Sequence, residues 1–146
     1  MTREEFQTRC RVRRLNIGDA VSAFDCYDED LNDFILNEAS LYRNALLSVT
    51  YVVEDKNSEE VLAYFSLSND KISISDFESK TEFNRFRKHK FVNEKRLRSY
   101  PAIKIGRLAI AKSAQNQSIG TYLLEFIEDY FIVDNKSGCR FVTVDA

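Results

Sequence analysis

A chain of 146 residues with 44% apolar and 30% charged side chains, 4 Gly and 1 Pro has the size and composition of one folded domain, not of a disordered segment. No apolar stretch approaches membrane-spanning length, and the opening Met1 to Phe6 is not a signal peptide. A net charge of −2 argues against a chain that binds polyanions over its whole surface.

In chain order, Arg11 to Ile17 alternates and reads as a first strand. Phe24 to Leu31 opens a helix that Asp25 or Asp28 can cap, and its acidic first turn suits the helix dipole. Leu31, Phe34 and Ile35 form the buried stripe, and a second helix carries Leu41, Tyr42, Ala45 and Leu46. Ser48 to Val53 is rich in β-formers, and Asp55 to Ser58 is a turn cluster. Val61, Ala63, Phe65 and Leu67 alternate with Leu62, Tyr64 and Ser66 as the next strand. Lys71 to Ser75 has a weaker strand pattern, and Asp76 to Ser99 is polar, with room for one short helix.

Ala102 to Ile110 then reads as a strand, and Gly106 inside it marks a bulge or a close backbone approach. Ala111 to Gly120 is a polar loop. Ile119, Tyr122, Leu123, Phe126, Ile127, Tyr130 and Phe131 fall at the spacing of one buried helical face, so Thr121 to Phe131 is a helix. Ser137-Gly138 closes that run, and Cys139 to Val144 is a last strand. A polar loop feeding a helix N-terminus is an anion site in waiting, because the first-turn N–H groups lack intrahelical partners and the dipole is positive there.

This strand, loop and helix resemble motif A of the GCN5-related N-acetyltransferase (GNAT) superfamily, whose pattern is Gln/Arg-x-x-Gly-x-Gly/Ala between a strand and a helix. The six positions here are Gln115, Asn116, Gln117, Ser118, Ile119 and Gly120, with Ser118 in place of the first Gly. Arg107 to Ile110 upstream and Cys139 to Val144 downstream are also similar to the family. Phe24 to Phe34 resembles the opening helix of a subgroup that includes toxins acetylating the amino group of aminoacyl-tRNA.

The resemblance implies an α/β (α+β) fold with a mixed central sheet flanked by helices. It implies acetyl-CoA as co-substrate and a primary amine as acceptor, the acetyl group moving by direct attack. Backbone groups of Leu108, Ala109 and Ile110 would lie along the pantetheine and the acetyl carbonyl, and Gln115 to Thr121, with Asn116, Gln117, Ser118, Ile119 and Gly120 between them, would hold the pyrophosphate. Many relatives place a Glu base on the preceding strand. Arg107 stands there instead, so no base is named, and Arg107 itself reads as one half of a buried ion pair. The family continues after the last strand with a helix, further strands and a Tyr that protonates the leaving thiolate. The chain stops at Asp145-Ala146, which reads as a truncated domain or one completed by a second subunit, since an open sheet edge is normally covered.

Two other function classes stay open: a toxin acting on aminoacyl-tRNA, with an antitoxin partner, and a non-catalytic acyl-CoA-binding or interaction module. Arg85 to Arg98 holds seven Lys/Arg against Glu94 alone, a local net of +6 that suits a solvated loop, a tRNA contact or coenzyme phosphates. Arg9, Arg11, Arg13 and Arg14 form a second basic cluster. Cys10, Cys26 and Cys139 are an odd number without metal spacing and read as reduced thiols in a cytoplasmic protein. A single His, His89, supports neither a His-based zinc site nor a Ser-His-Asp triad, and no metal is expected. A homodimer is consistent with an exposed terminal strand.

Overall fold

The computed structural model describes residues 1–90 and 98–144. The elements are α1 (Arg3–Arg9), β1 (Cys10–Arg14), α2 (Glu29–Asp33), α3 (Ala39–Asn44), β2 (Val49–Asp55), β3 (Val61–Ser73), α4 (Lys80–Lys90), β4 (Ser99–Ile110), α5 (Ile119–Ile127) and β5 (Phe141–Val144). The strands form one sheet in the order β1-β2-β3-β4-β5. The first three pairings are antiparallel, and β4 with β5 is parallel.

Both faces of this mixed sheet are covered, which is why its central strands carry nearly unbroken apolar runs. Val53, Phe65, Leu67, Ile103 and Ile105 pack against α1 and α5 through Phe6, Ile119, Leu123 and Ile127. The alternate residues Val52, Tyr64 and Ala109 pack against Phe24, Phe34, Ile35 and Ala39 on the other face.

Several elements differ from the sequence expectation. α1 is an additional helix, held by Thr2, whose hydroxyl accepts from the Glu5 N–H at 3.1 Å. The two helices after β1 are one continuous run, because α2 passes into a π-helical turn, Phe34–Glu38, and then into α3. The cap is Asp28, whose carboxylate accepts from the Leu31 N–H at 3.1 Å. The second helix is shorter and less buried than expected: α3 ends at Asn44, which leaves Ala45 and Leu46 beyond it, and Leu41 is 64% exposed, so the stripe narrows to Ala39 and Tyr42. The weak pattern at Lys71 joins the preceding run as one 13-residue β3, since β4 offers it partners as far as Ser73↔Ser99. α5 begins at Ile119 and passes into a second π-helical turn, Glu128–Val133.

The basic segment spans Arg85 to Arg98. Its first residues belong to α4, while 91–97 lie outside the described residues, as do the side chains of 87–90, His89 among them. All three cysteines are free thiols, Cys10 and Cys139 buried. Among the described residues no helix is long and apolar enough to cross a membrane.

Candidate functional site

β4 carries the site's geometry. Ser66 pairs with Arg107 and Leu67 with Ile105, so Gly106 is the extra residue of a β-bulge. A Cβ there would meet only the Ser66 Oγ, at 3.5 Å, so the bulge leaves room for one. Beyond it the strand alternation fixes which backbone groups point where. The Ala111 N–H donates to Leu62 O at 2.8 Å, so Ala111 and Ala109 face β3, and Leu108 and Ile110 face the opposite edge. β5 pairs only with Ala102 to Ile105, so among the described residues no strand occupies that edge beside Leu108 and Ile110.

The strand delivers the chain into the polar loop. Gln115 bridges it: its amide donates to Ile110 O at 3.0 Å and to Cys26 O at 3.3 Å, joining β4 to the segment before α2. The Gln117 amide donates back to Ser113 O at 3.4 Å. Asn116 and Ser118 both have φ near 63°, in the left-handed region. A Gly would enter that region without strain, which is the backbone reason a Gly suits position 118.

α5 then starts. The Tyr122 N–H donates to Ser118 O at 3.2 Å, so the N–H groups of Ile119, Gly120 and Thr121 are those of the first turn. The Ser118 side chain makes no capping bond to them. Ile119 is 2% exposed and anchors the turn in the core, and Gly120 has open space where a Cβ would sit. Among the described residues no packing contact accounts for a Gly at position 120. The residues fit an anionic group held by backbone N–H groups, with the Ser118 and Thr121 hydroxyls beside it.

Among the described residues no carboxylate forms the ion pair expected of Arg107. Its guanidinium lies 3.9 Å from the Phe34 ring centroid and 5.1 Å from that of Tyr42. Two aromatic faces from the π turn and α3 satisfy it, as cation–π contacts do. Tyr122 is a packing residue, with its hydroxyl on Met1 O at 2.9 Å and its ring 5.5 Å from Phe6. Sequence reasoning named no proton acceptor. In the π turn, Glu38 shares a hydrogen bond with Asp33, which pushes its carboxyl above the ordinary carboxylate value. Only contact across a helical turn reveals that pair, so the sequence spacing alone gave no signal for it. A cavity of about 470 Å³ lies away from this loop, between α1 and α5, lined by Arg3, Phe6, Tyr122 and Glu125 among others.

The five-stranded sheet, its bulged β4 and the helix after the loop make up the acyl-CoA N-acyltransferase (GNAT) fold, a mixed α+β architecture. No protein-family model matches the sequence, and no curated protein matches it. Solved structures do. A Tyr-to-Phe mutant of KacT has a TM-score of 0.72 at 21% identity, over 94% of this chain and 78% of that one. AtaT complexed with acetyl-methionyl-tRNAfMet has a TM-score of 0.70 at 20% identity, over 94% and 78%. An AtaT mutant toxin bound to the C-terminus of the antitoxin AtaR and acetyl-CoA has a TM-score of 0.65 at 20% identity, over 94% and 76%.

Proposed function

We propose that the protein is an N-acetyltransferase that moves the acetyl group of acetyl-CoA to a primary amine. The observation that supports this best is the continuity of one anion-ready path. The backbone edge at Leu108 and the Ile110 N–H, which no described strand pairs, runs into the left-handed loop at Asn116 and Ser118 and ends on the first turn of α5. The strand edge suits the amide-bearing pantetheine, which can add to it as a strand would. The first-turn N–H groups of Ile119, Gly120 and Thr121 suit the pyrophosphate, together with Gln115, Asn116, Gln117 and Ser118.

In the reaction the amine nitrogen bonds to the thioester carbonyl carbon and loses a proton. The carbon–sulfur bond breaks, and the thiolate leaves and takes up a proton. The Leu108 N–H, which points to the edge away from β3, would polarise the carbonyl as an oxyanion-hole donor does.

A second reading narrows the acceptor to aminoacyl-tRNA, with an antitoxin as protein partner. AtaT, similar in fold, has been captured with an acetylated aminoacyl-tRNA and with its antitoxin. The excess of cations between Arg85 and Arg98 favours a nucleic-acid acceptor.

Calorimetric titration with acetyl-CoA, on the parent and on Gly120→Pro, tests the cofactor site. Proline is tolerated in a helix's first turn and removes one N–H donor there. Saturable binding that weakens in the folded variant supports the assignment. Equal binding by both removes the loop from the site, and no binding by the parent removes the reading. Release of free thiol with small amines or with charged tRNA then identifies the acceptor. Binding without thiol release with any of them is the result expected of a non-catalytic binding module.

A further inference from the structure

Arg43, near the end of α3, is the one residue shared by two cavities of about 190 Å³ each. The first is lined by the loop after β1 (Asn16, Gly18, Asp19), by Ser40 and Arg43 from α3, and by Thr50 from β2. The second adds Ser48 and an apolar wall of Leu46, Leu47 and Val49. Three buried polar atoms around this point lack a hydrogen-bond partner among the described residues: Arg43 Nε, Ser48 Oγ and Thr50 Oγ1. Thr50 is 3% exposed. Such atoms are rare in folded proteins, because each loses its hydration without replacement.

Among the described residues no carboxylate is bonded to any of these three atoms. Asp19 lines the first cavity, and its Oδ2 already accepts from Arg13 Nη1 at 3.2 Å and from the Asn16 N–H at 2.8 Å. Glu54, farther along β2, accepts from Arg13 at 2.7 Å and Arg11 at 3.4 Å. Asp19 and Glu54 are each paired with Arg13, while a half-buried guanidinium and two buried hydroxyls are left as donors. That donor set matches an oxyanion, and a guanidinium fork recognises carboxylate and phosphate oxygens alike. A space of about 190 Å³ is too small for a drug-sized ligand and large enough for a single anionic end group.

We infer that Arg43 and Thr50 form a binding site for a small oxyanion, the phosphate or carboxylate end of a ligand, separate from the loop at Ser118. Thr50 lies on the face covered by α2 and α3, and that loop leads into α5 on the opposite face. The inference does not depend on the acetyltransferase reading.

The test reads the Arg43 Nε–H resonance in a ¹⁵N correlation spectrum, assigned with Arg43→Lys. Inorganic phosphate and acetate are titrated in separate arms at constant ionic strength, with saturating coenzyme A present in a parallel series. A saturable shift of this resonance, with an apparent Kd at least tenfold weaker in Thr50→Val, is expected. Phosphate or acetate giving the tighter Kd identifies the end group. The response is unchanged by coenzyme A if the site is separate, and suppression by coenzyme A overturns the separation. No saturable shift, or the same Kd in Thr50→Val, overturns the site and leaves water as its occupant.

Discussion

Asp25 and Lys112, 87 residues apart, are joined twice. The Lys112 N–H donates to Asp25 O at 2.9 Å, and its ammonium meets the Asp25 carboxylate at 3.0 Å. This clamp fastens the start of the α2 segment to the loop that leaves β4. The same carboxylate accepts from the Tyr27 N–H at 2.9 Å and the Asn32 amide at 3.0 Å. These bonds, the Tyr27 N–H foremost, hold the Asp25 carboxyl down at about 2, from an ordinary 3.8.

A folded-state value below the unfolded one gives stability that is full above the unfolded value and is lost as pH falls through the folded one. The parent therefore weakens between about pH 4 and about pH 2 in part through Asp25. Asp25→Asn removes that titration. Urea midpoints of the two proteins are expected to converge as pH is lowered across this window. A constant difference would exclude Asp25 as a source of the acid sensitivity.

Ser118→Gly is expected to stabilise the protein. The left-handed φ of 63° costs a non-Gly residue about 1 kcal/mol, which Gly avoids, though a more flexible unfolded chain offsets part of the gain. A rise in Tm of about 1–3 °C is expected for a chain of this size. The variant also restores the bare backbone of the motif that this loop resembles. Acetyl-CoA affinity measured by calorimetry should be equal to or tighter than the parent's. A lower Tm would mean that the Ser118 hydroxyl contributes more than its backbone strain removes.

Arg107→Met separates the guanidinium from its apolar stem. The cation over Phe34 and Tyr42 contributes about 1–2 kcal/mol as a partly desolvated cation–π contact, and Met keeps most of the packing. Chemical denaturation of parent and variant at low and high salt checks both the size and the kind of interaction. An aromatic contact loses little to salt, whereas an exposed ion pair is screened within about 10 Å at 0.1 M. A loss that vanishes at high salt would return Arg107 to the ion-pair role that its sequence context suggested.

That reversal shows which features the sequence exposes. The α5 face was legible because Ile119, Leu123 and Ile127 repeat at helical spacing, and the bulge was legible because a lone Gly interrupts β4. α1 carries a readable signal, Thr2 followed three residues later by Glu5, the pattern of a capping box. It stays hidden without an apolar run behind it, since only Phe6 is buried. The two π turns have no local signature, because an i→i+5 register depends on what the helix packs against. Asn69 and Asp70 disfavour a strand, yet they lie inside β3, where β4 pairs with them and Thr143 donates to the Asp70 carboxylate. Arg107 was misread for a related reason: its partners, Phe34 and Tyr42, lie 73 and 65 residues earlier, and charge alone does not announce an aromatic one.

Tyr64→Phe isolates one hydrogen bond that holds the α2 segment on the sheet. Tyr64 has no exposed surface, and its hydroxyl donates to Leu31 O at 2.7 Å. Burial pushes the phenol well above its ordinary value, so it stays a neutral donor over the working range of pH. The ring packs edge-on against Phe24 at 5.3 Å and stacks with Phe34 at 6.0 Å, and Phe would keep both contacts. Leu31 O also receives the Phe34 N–H, so removing the hydroxyl does not strand the carbonyl. The expected cost is therefore that of one net hydrogen bond, about 1 kcal/mol, read from the urea midpoint. Tyr64→Leu also loses the aromatic contacts and should cost about 1–3 kcal/mol more. Hydrogen exchange at Phe34 and Ile35 checks the location of the effect. Faster exchange there in Tyr64→Phe, with α5 amides unchanged, assigns the hydroxyl to fastening the α2 segment and its π turn over β3. Uniform acceleration across both faces would make Tyr64 a residue of general stability instead.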